Sequence, residues 1–188
     1  MEFSGGRQYC LYQKLMSEYL LEHQQTERLY FRKVVPEDFD TWLPFFHNPE
    51  STQFWEGLPQ NPVEACQQQF DRTFERYEKN LGGMNALILK ENNSLIGLCG
   101  LLVQEVDEKT ELEIGYSVLP AYWRKGFAFE AAYQCKSYAK EKVFTDSLIS
   151  IIHIDNIPSQ KVALKNGMTL DTTTTYKNNP VHIFRVSL

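Results

Sequence analysis

The stretch from Glu111 to Lys142 constrains this chain more than any other. It opens Glu-Leu-Glu-Ile-Gly-Tyr-Ser-Val-Leu-Pro, so Leu112, Ile114, Tyr116 and Val118 share one face of a strand while Glu111, Glu113, Gly115 and Ser117 share the other. Pro120 ends the strand. After a short turn, the small residues Ala128, Ala132, Cys135 and Ala139 recur at helical spacing, which starts a helix inside the basic turn Arg124-Lys125-Gly126-Phe127-Ala128. The first N–H groups of a helix lack intrahelical partners and carry partial positive charge, so this turn is an anion site. Gly126 and Ala128 leave room for a phosphate to approach the backbone.

Two familiar phosphate loops are excluded, since the chain has no G-x-x-x-x-G-K-[ST] and no G-x-G-x-x-G after a strand. What remains is a shorter cradle behind a strand that carries a carboxylate. This combination resembles the GNAT superfamily of acyl-CoA-dependent N-acetyltransferases, in particular the branch with the ribosomal-protein N-terminal acetyltransferases. The family's acetyl-CoA loop, Arg/Gln-x-x-Gly-x-Gly/Ala, is matched by Trp123 to Ala128 except that Trp123 takes the first place. Glu27-Arg28-Leu29, Arg32 and Asp38 resemble the opening of the same branch.

A chain of 188 residues, 43% hydrophobic, suits one domain burying roughly 70% of its unfolded surface. A net charge of −5 with no long basic run argues against a nucleic-acid surface and fits a cationic amine slightly better than an anion. Cys10, Cys66, Cys99 and Cys135 are far apart, with no C-x-x-C and no H-x-x-x-H, so neither zinc nor a disulfide framework is expected and no metal is implied. No apolar run approaches the roughly 20 residues of a membrane helix, and no signal-peptide core opens the chain. The expectation is a cytoplasmic protein with reduced thiols and no membrane partner.

Tyr12, Leu15, Met16, Tyr19 and Leu20 make an amphipathic helical stripe within an extension covering residues 1–25, which packs on the domain or on a twin subunit, making a homodimer an expected option. Residues 26–188 form the domain. A strand follows Thr26, then a helix with Pro36 near its start. The loop Pro49 to Pro62 holds Phe54, Trp55 and Glu56, which either cover the core or contact substrate. A helix runs from about Val63 to Lys79; strands cover Met84 to Lys90, Leu95 to Val106 and Glu111 to Val118; after the central helix come a strand at Ser147 to Ile154 and a hairpin of Thr169 to Tyr176 with Val181 to Val186 around a turn at Lys177 to Pro180. This order is that of an α/β (mixed α+β) acetyltransferase fold. The resemblance implies its sheet: about seven strands, mixed but mostly antiparallel, with helices on both faces and a splay between the strands ending near Val118 and Ile154 that takes the pantetheine arm.

Asp155 to Met168 follows the Ile154 strand. Asp155, Asn156 or Ser159 can cap a helix there, Pro158 suits its first turn, and Gly167 its C′ position. The run also resembles the family's second segment, Asn-x-x-Ser/Asn, a short helix, then Lys-x-Gly-Phe, with Met168 in place of Phe. The resemblance implies that Tyr116, Val118, Arg124, Lys125, Gly126, Phe127, Ala128, Asn156 and Ser159 bind acetyl-CoA, the cosubstrate. It implies that Ser159 protonates the leaving thiolate, with Tyr176 a weaker alternative, and that Phe54, Trp55 and Glu56 shape the acceptor site.

An α-amine has a pKa of about 8 and a lysine amine about 10.4, so the acceptor arrives largely protonated and needs a base. Glu113 is the candidate, because a carboxylate in a central strand is hard to explain by packing; Glu111, two residues away and expected to be solvated, is second. A backbone N–H at the strand's end, that of Val118, is the family's donor to the oxyanion. The reaction implied is direct acetyl transfer to a primary amine, on a peptide or protein N-terminus or a small molecule. The competing reading is a catalytically silent acyl-CoA-binding module for regulation or assembly, which would need the loop and Asn156 but not Glu113 or Ser159.

Overall fold

The computed structural model describes residues 18–188. The expected N-terminal helix falls outside them up to residue 17; of its last members, Tyr19 lies in a turn and Leu20 in the irregular segment that follows. Seven strands form one sheet in the order β1 (Leu29–Lys33), β2 (Gly82–Leu89), β3 (Ser94–Val106), β4 (Lys109–Val118), β5 (Ser147–His153), β7 (Asn179–Ser187) and β6 (Thr169–Tyr176). Neighbours pair antiparallel throughout except β4 with β5, which run parallel.

Between β1 and β2 lie a 3₁₀ turn (Pro36–Asp38), three short helices, α1 (Phe39–Trp42), α2 (Pro44–His47) and α3 (Pro49–Thr52), and the long α4 (Pro62–Glu78). Pro44 and Pro49 each sit at the start of a helical turn, a position that needs no N–H; Pro44 divides the helix expected after Pro36, and α3 occupies the start of the segment expected to be a loop. Helix α4 starts on an Asn61 cap whose side chain accepts from the Val63 N–H. After β4 come α5 (Phe127–Lys142) and, between β5 and β6, α6 (Ile157–Lys165).

The helices divide between the faces of the sheet by the period-two alternation of β2. Ala86 and Ile88 pack with Trp42, Phe45, Phe46, Cys66 and Phe70 from α1, α2 and α4. Leu87 and Leu89 turn to the other face, where Ala131, Ala132, Cys135 and Ala139 of α5 close the core with Ile96, Cys99, Leu101 and Ile114. Three members of the predicted small-residue stripe are buried, and Ala128 stays partly open at the helix start. Cys66, Cys99 and Cys135 are buried free thiols.

One feature of the sheet creates space. Strands β4 and β5 share a single register position, Glu113 opposite Ile149, and then part. The next carbonyl of β4, that of Ile114, accepts instead from the Ser150 hydroxyl at 2.9 Å, so a side chain satisfies the group that a ladder bond would have taken. At the far edge, Lys177 and Asn178 both adopt left-handed conformations and form a two-residue hairpin turn, so Asn179 and Pro180 begin β7 instead of extending the turn.

Candidate active site

Tyr116, Val118, Asn156 and Ser159 lie about the gap between β4 and β5 with the α5 turn on one face of the sheet, and Glu113 lies on the other. On the α5 face, the chain leaves β4 through a 3₁₀ turn (Pro120–Tyr122) and reaches Gly126, the N-cap of α5, at φ 84°. Arg124 is also left-handed, at φ 60°. No side chain caps the helix, and its first intrahelical bond is Glu130 N–H to the Gly126 carbonyl. The N–H groups of Phe127, Ala128 and Phe129 therefore remain for an anion. Arg124 and Lys125 are exposed, while the Phe127 side chain is buried, which leaves Phe127 only its backbone to offer.

Arg28, at the start of β1, clamps this turn. Its Nη1 donates to the Lys125 carbonyl at 3.0 Å, its guanidinium lies 4.2 Å over the Phe127 ring, and it pairs with Glu130 at 2.6 Å. Glu130 also accepts from the Thr26 hydroxyl and the Arg28 N–H, and despite a desolvation cost these bonds hold its carboxyl below the usual range. The carboxylate beside the anion cradle is thus neutralised by its own clamp. A Cβ built on Gly126 would meet nothing nearer than Arg28 Nη2 at 3.5 Å, so the space outside the turn is open.

Tyr116 and Ser159 cross the gap together. The Tyr116 hydroxyl donates to the Ser159 carbonyl at 2.9 Å, and the Ser159 hydroxyl lies 3.0 Å from the Tyr116 oxygen. Burial raises the Tyr116 pKa, so the phenol stays protonated. Of the three possible caps for α6, the structure selects Asn156, whose Oδ1 accepts from the Ser159 N–H at 3.1 Å. Ser159 is the third residue of the helix and does not cap it. Its hydroxyl is turned to Tyr116, while Asn156 keeps its Nδ2 without a protein partner among the described residues.

The Leu119 N–H bonds to the Ile96 carbonyl of β3. By the alternation of an antiparallel ladder, Val118 then directs its own N–H away from β3, into the gap. The Val118 carbonyl on the same side accepts from the Trp123 indole at 2.5 Å, which gives that tryptophan a role in shaping the end of β4.

On the α4 face, Glu113 is partly buried. Desolvation raises its pKa, opposed first by a 2.7 Å hydrogen bond from Gln104 Nε2, then by the Ile151 N–H and the charges of Arg76 and Lys177. Gln104 is oriented in turn by the Tyr176 hydroxyl at 2.9 Å. Tyr176 therefore belongs with the carboxylate and lies away from Ser159. Glu111 is not solvated: both its oxygens accept from Arg185, at 2.8 and 3.0 Å, and this pairing occupies the lone pairs a base would need.

Phe54, Trp55 and Glu56 separate into three environments. Trp55 packs against Phe45 at 5.5 Å and Phe46 at 6.1 Å, anchoring the loop in the core. Phe54 reaches across to β5 and stacks on His153, with ring centroids 5.1 Å apart and planes 27° apart. Glu56 is exposed. The sequence reading passed over Arg28 as a clamp, Gln104 and His153. His153 follows Ile149 and Ile151 at period two and was legible as their neighbour, whereas the reach of Phe54 was not.

The family model described as an acetyltransferase (GNAT) domain matches residues 28–169. An uncharacterized N-acetyltransferase, p20, from Bacillus licheniformis is 28% identical over 142 residues, covering 76% of this chain and 79% of that protein. Among solved structures, an acetyltransferase from Agrobacterium tumefaciens strain C58 superposes with a TM-score of 0.76 at 22% identity, covering 90% of this chain and 96% of the other. RimL, a ribosomal L7/L12 α-N-protein acetyltransferase solved in complex with coenzyme A, superposes with a TM-score of 0.69 at 12% identity, covering 88% and 97%.

Proposed function

The chain belongs to the GNAT acetyltransferase family, and from that premise we propose that it transfers an acetyl group from acetyl-CoA directly to a primary amine, with Glu113 as the base. The observation that carries this reading is the division of the site: an open anion cradle with Asn156 and Ser159 on one face, a supported carboxylate on the other, and an unpaired stretch of sheet joining them.

Acetyl-CoA, when bound, supplies an acyl group already activated as a thioester. The open space outside Gly126 and the free N–H groups of Phe127, Ala128 and Phe129 fit its pyrophosphate, with Arg124 and Lys125 adding charge and Asn156 Nδ2 available to an amide of the pantetheine arm. Val118 offers an N–H into the gap, where negative charge develops in acyl transfer.

Glu113 takes the proton of the incoming ammonium at the oxygen not held by Gln104. Its raised pKa makes it a stronger base than an exposed carboxylate, which narrows the mismatch with an amine. On the opposite face, the side from which a leaving thiolate would collect a proton, the Ser159 hydroxyl donates to the Tyr116 oxygen and the Tyr116 hydroxyl to the Ser159 carbonyl.

The likeness to RimL makes a protein or peptide N-terminus one acceptor class to test, and small amines the other. A panel of peptides and amines incubated with acetyl-CoA, read by thiol release and mass spectrometry, tests the reading. Acetyl-CoA binding without acceptor-dependent release would replace it with a silent acyl-CoA-binding module.

A further inference from the structure

Strand β5 carries one polar side chain onto the Glu113 face of the gap. Ile149 and Ile151 occupy that face, packed with Val181 and Ile183, and His153 is the next residue to point there, where β5 has already left β4. Its imidazole is fixed from two directions. The Asp155 N–H donates to Nδ1 at 3.1 Å, and Phe54 stacks on the ring. The side chain is 16% exposed.

The hydrogen bond at Nδ1 decides the tautomer. A ring nitrogen that accepts a backbone N–H uses its lone pair, so the neutral imidazole carries its proton on Nε2. Nε2 has no partner among the described residues and is not among the atoms sealed from solvent. The acceptor face thus contains a positioned carboxylate, Glu113 on β4, and farther along the same face of the sheet a positioned N–H donor, His153 on β5.

We infer that His153 selects the acceptor by donating Nε2–H to a carbonyl oxygen next to the reacting amine, so the substrate class is an α-amine of a peptide or amino-acid amide. This rests on the acetyltransferase reading above and deepens it. A peptide α-amine has a carbonyl carbon attached to the carbon that bears the nitrogen. A lysine side chain or a polyamine has only methylenes there and would leave the donor unpaired. Phe54, stacked on one face of the ring, fixes the plane in which Nε2–H points.

The test compares alaninamide with 2-amino-3-methylbutane, which has the same shape without the carbonyl. His153→Phe preserves an aromatic ring against Phe54 and removes the donor, and His153→Gln restores an N–H. Thermal melts establish that both variants fold. The expected result is a KM for alaninamide raised about 3- to 10-fold in His153→Phe, with partial recovery in His153→Gln and no change for the alkylamine. Equal effects on both amines, or none on either, would overturn the inference.

A second measurement does not depend on turnover. Calorimetric titration of an alanine dipeptide amide into protein saturated with coenzyme A should give the same selective loss in His153→Phe. Equal binding by both proteins, or no binding to the wild type, would overturn the role of His153. If the wild type binds the dipeptide amide through His153 but releases no thiol with any amine, the acetyltransferase reading fails while His153 keeps its role.

Discussion

At the residue scale, Glu113 is where chemistry and stability meet. Glu113→Gln keeps the hydrogen-bonding shape around Gln104 and should lower turnover by roughly 10² to 10⁴ while acetyl-CoA affinity stays near wild type. Normal turnover at neutral pH would remove Glu113 from the mechanism, and the ion pair of Glu111 with Arg185 makes that residue a poor replacement. Stability gives an independent check. Burial raises the folded-state pKa of Glu113, so the folded protein holds this proton more tightly than the unfolded chain. That contribution is present below the ordinary carboxylate pKa and is lost as pH rises through the raised one. Glutamine does not titrate, so the Tm of Glu113→Gln relative to wild type should increase as pH climbs through this window. A constant difference would mean that the carboxylate is not desolvated. Asn156 and Ser159 separate in the same way: Asn156→Ala removes the cap of α6 and should cost about 1 kcal/mol in a thermal melt, whereas Ser159→Ala leaves that cap intact.

At the scale of the element, the anion site proposed above is the start of α5, and its geometry is imposed by a backbone that only glycine adopts easily. Gly126→Val should therefore act mainly through strain. A left-handed conformation costs an L-residue about 1 to 2 kcal/mol, and the new side chain would enter open space beside Arg28 without a backbone clash. Weaker acetyl-CoA binding by calorimetry, in a protein that still folds, is the expected outcome, and wild-type affinity would sink the cradle. The clamp from Arg28 explains why this turn is held although no side chain caps the helix: a residue near the start of the domain fixes the carbonyl of Lys125 and the ring of Phe127 from outside.

At the scale of the whole molecule, the segment before β1 is part of the packing. Leu20 and Leu21 are buried, the Leu21 N–H donates to the buried Asn85 side chain at 3.1 Å, and Tyr19 meets Phe144 edge to face at 5.0 Å. Leu21→Ala should destabilise the domain by about 2 to 5 kcal/mol, read by denaturant titration. A loss below 1 kcal/mol would mean that the segment lies on the surface of the core without contributing to it. Among the described residues no helix is long and apolar enough to cross a membrane, and none of their acidic, histidine or cysteine side chains cluster as a metal site.

The order of strands and helices was legible because it depends on local pattern: the alternation from Glu111 to Val118, the helical recurrence from Ala128, and the turn residues between strands. The glycine turn before α5 was legible for the same reason, since a glycine that follows two basic residues at the start of a helix is a local signal. The pieces α1 and α2 were not resolved from one helix, although Pro44 marked the second, and α3 was read as part of a loop, although Pro49 marked its start. What tertiary structure alone decided are relations between residues far apart in the chain. The fate of Glu111 depended on Arg185, the support of Glu113 on Gln104 and Tyr176, the clamp on Gly126 on Arg28, and the pairing of Phe54 with His153 on the path of the chain between α3 and α4. A carboxylate two residues from another on the same strand face looks identical in sequence. Only the fold determines which one meets a guanidinium and which one is left with amide partners and a raised pKa, because that depends on what the other strands and helices bring to its side chain.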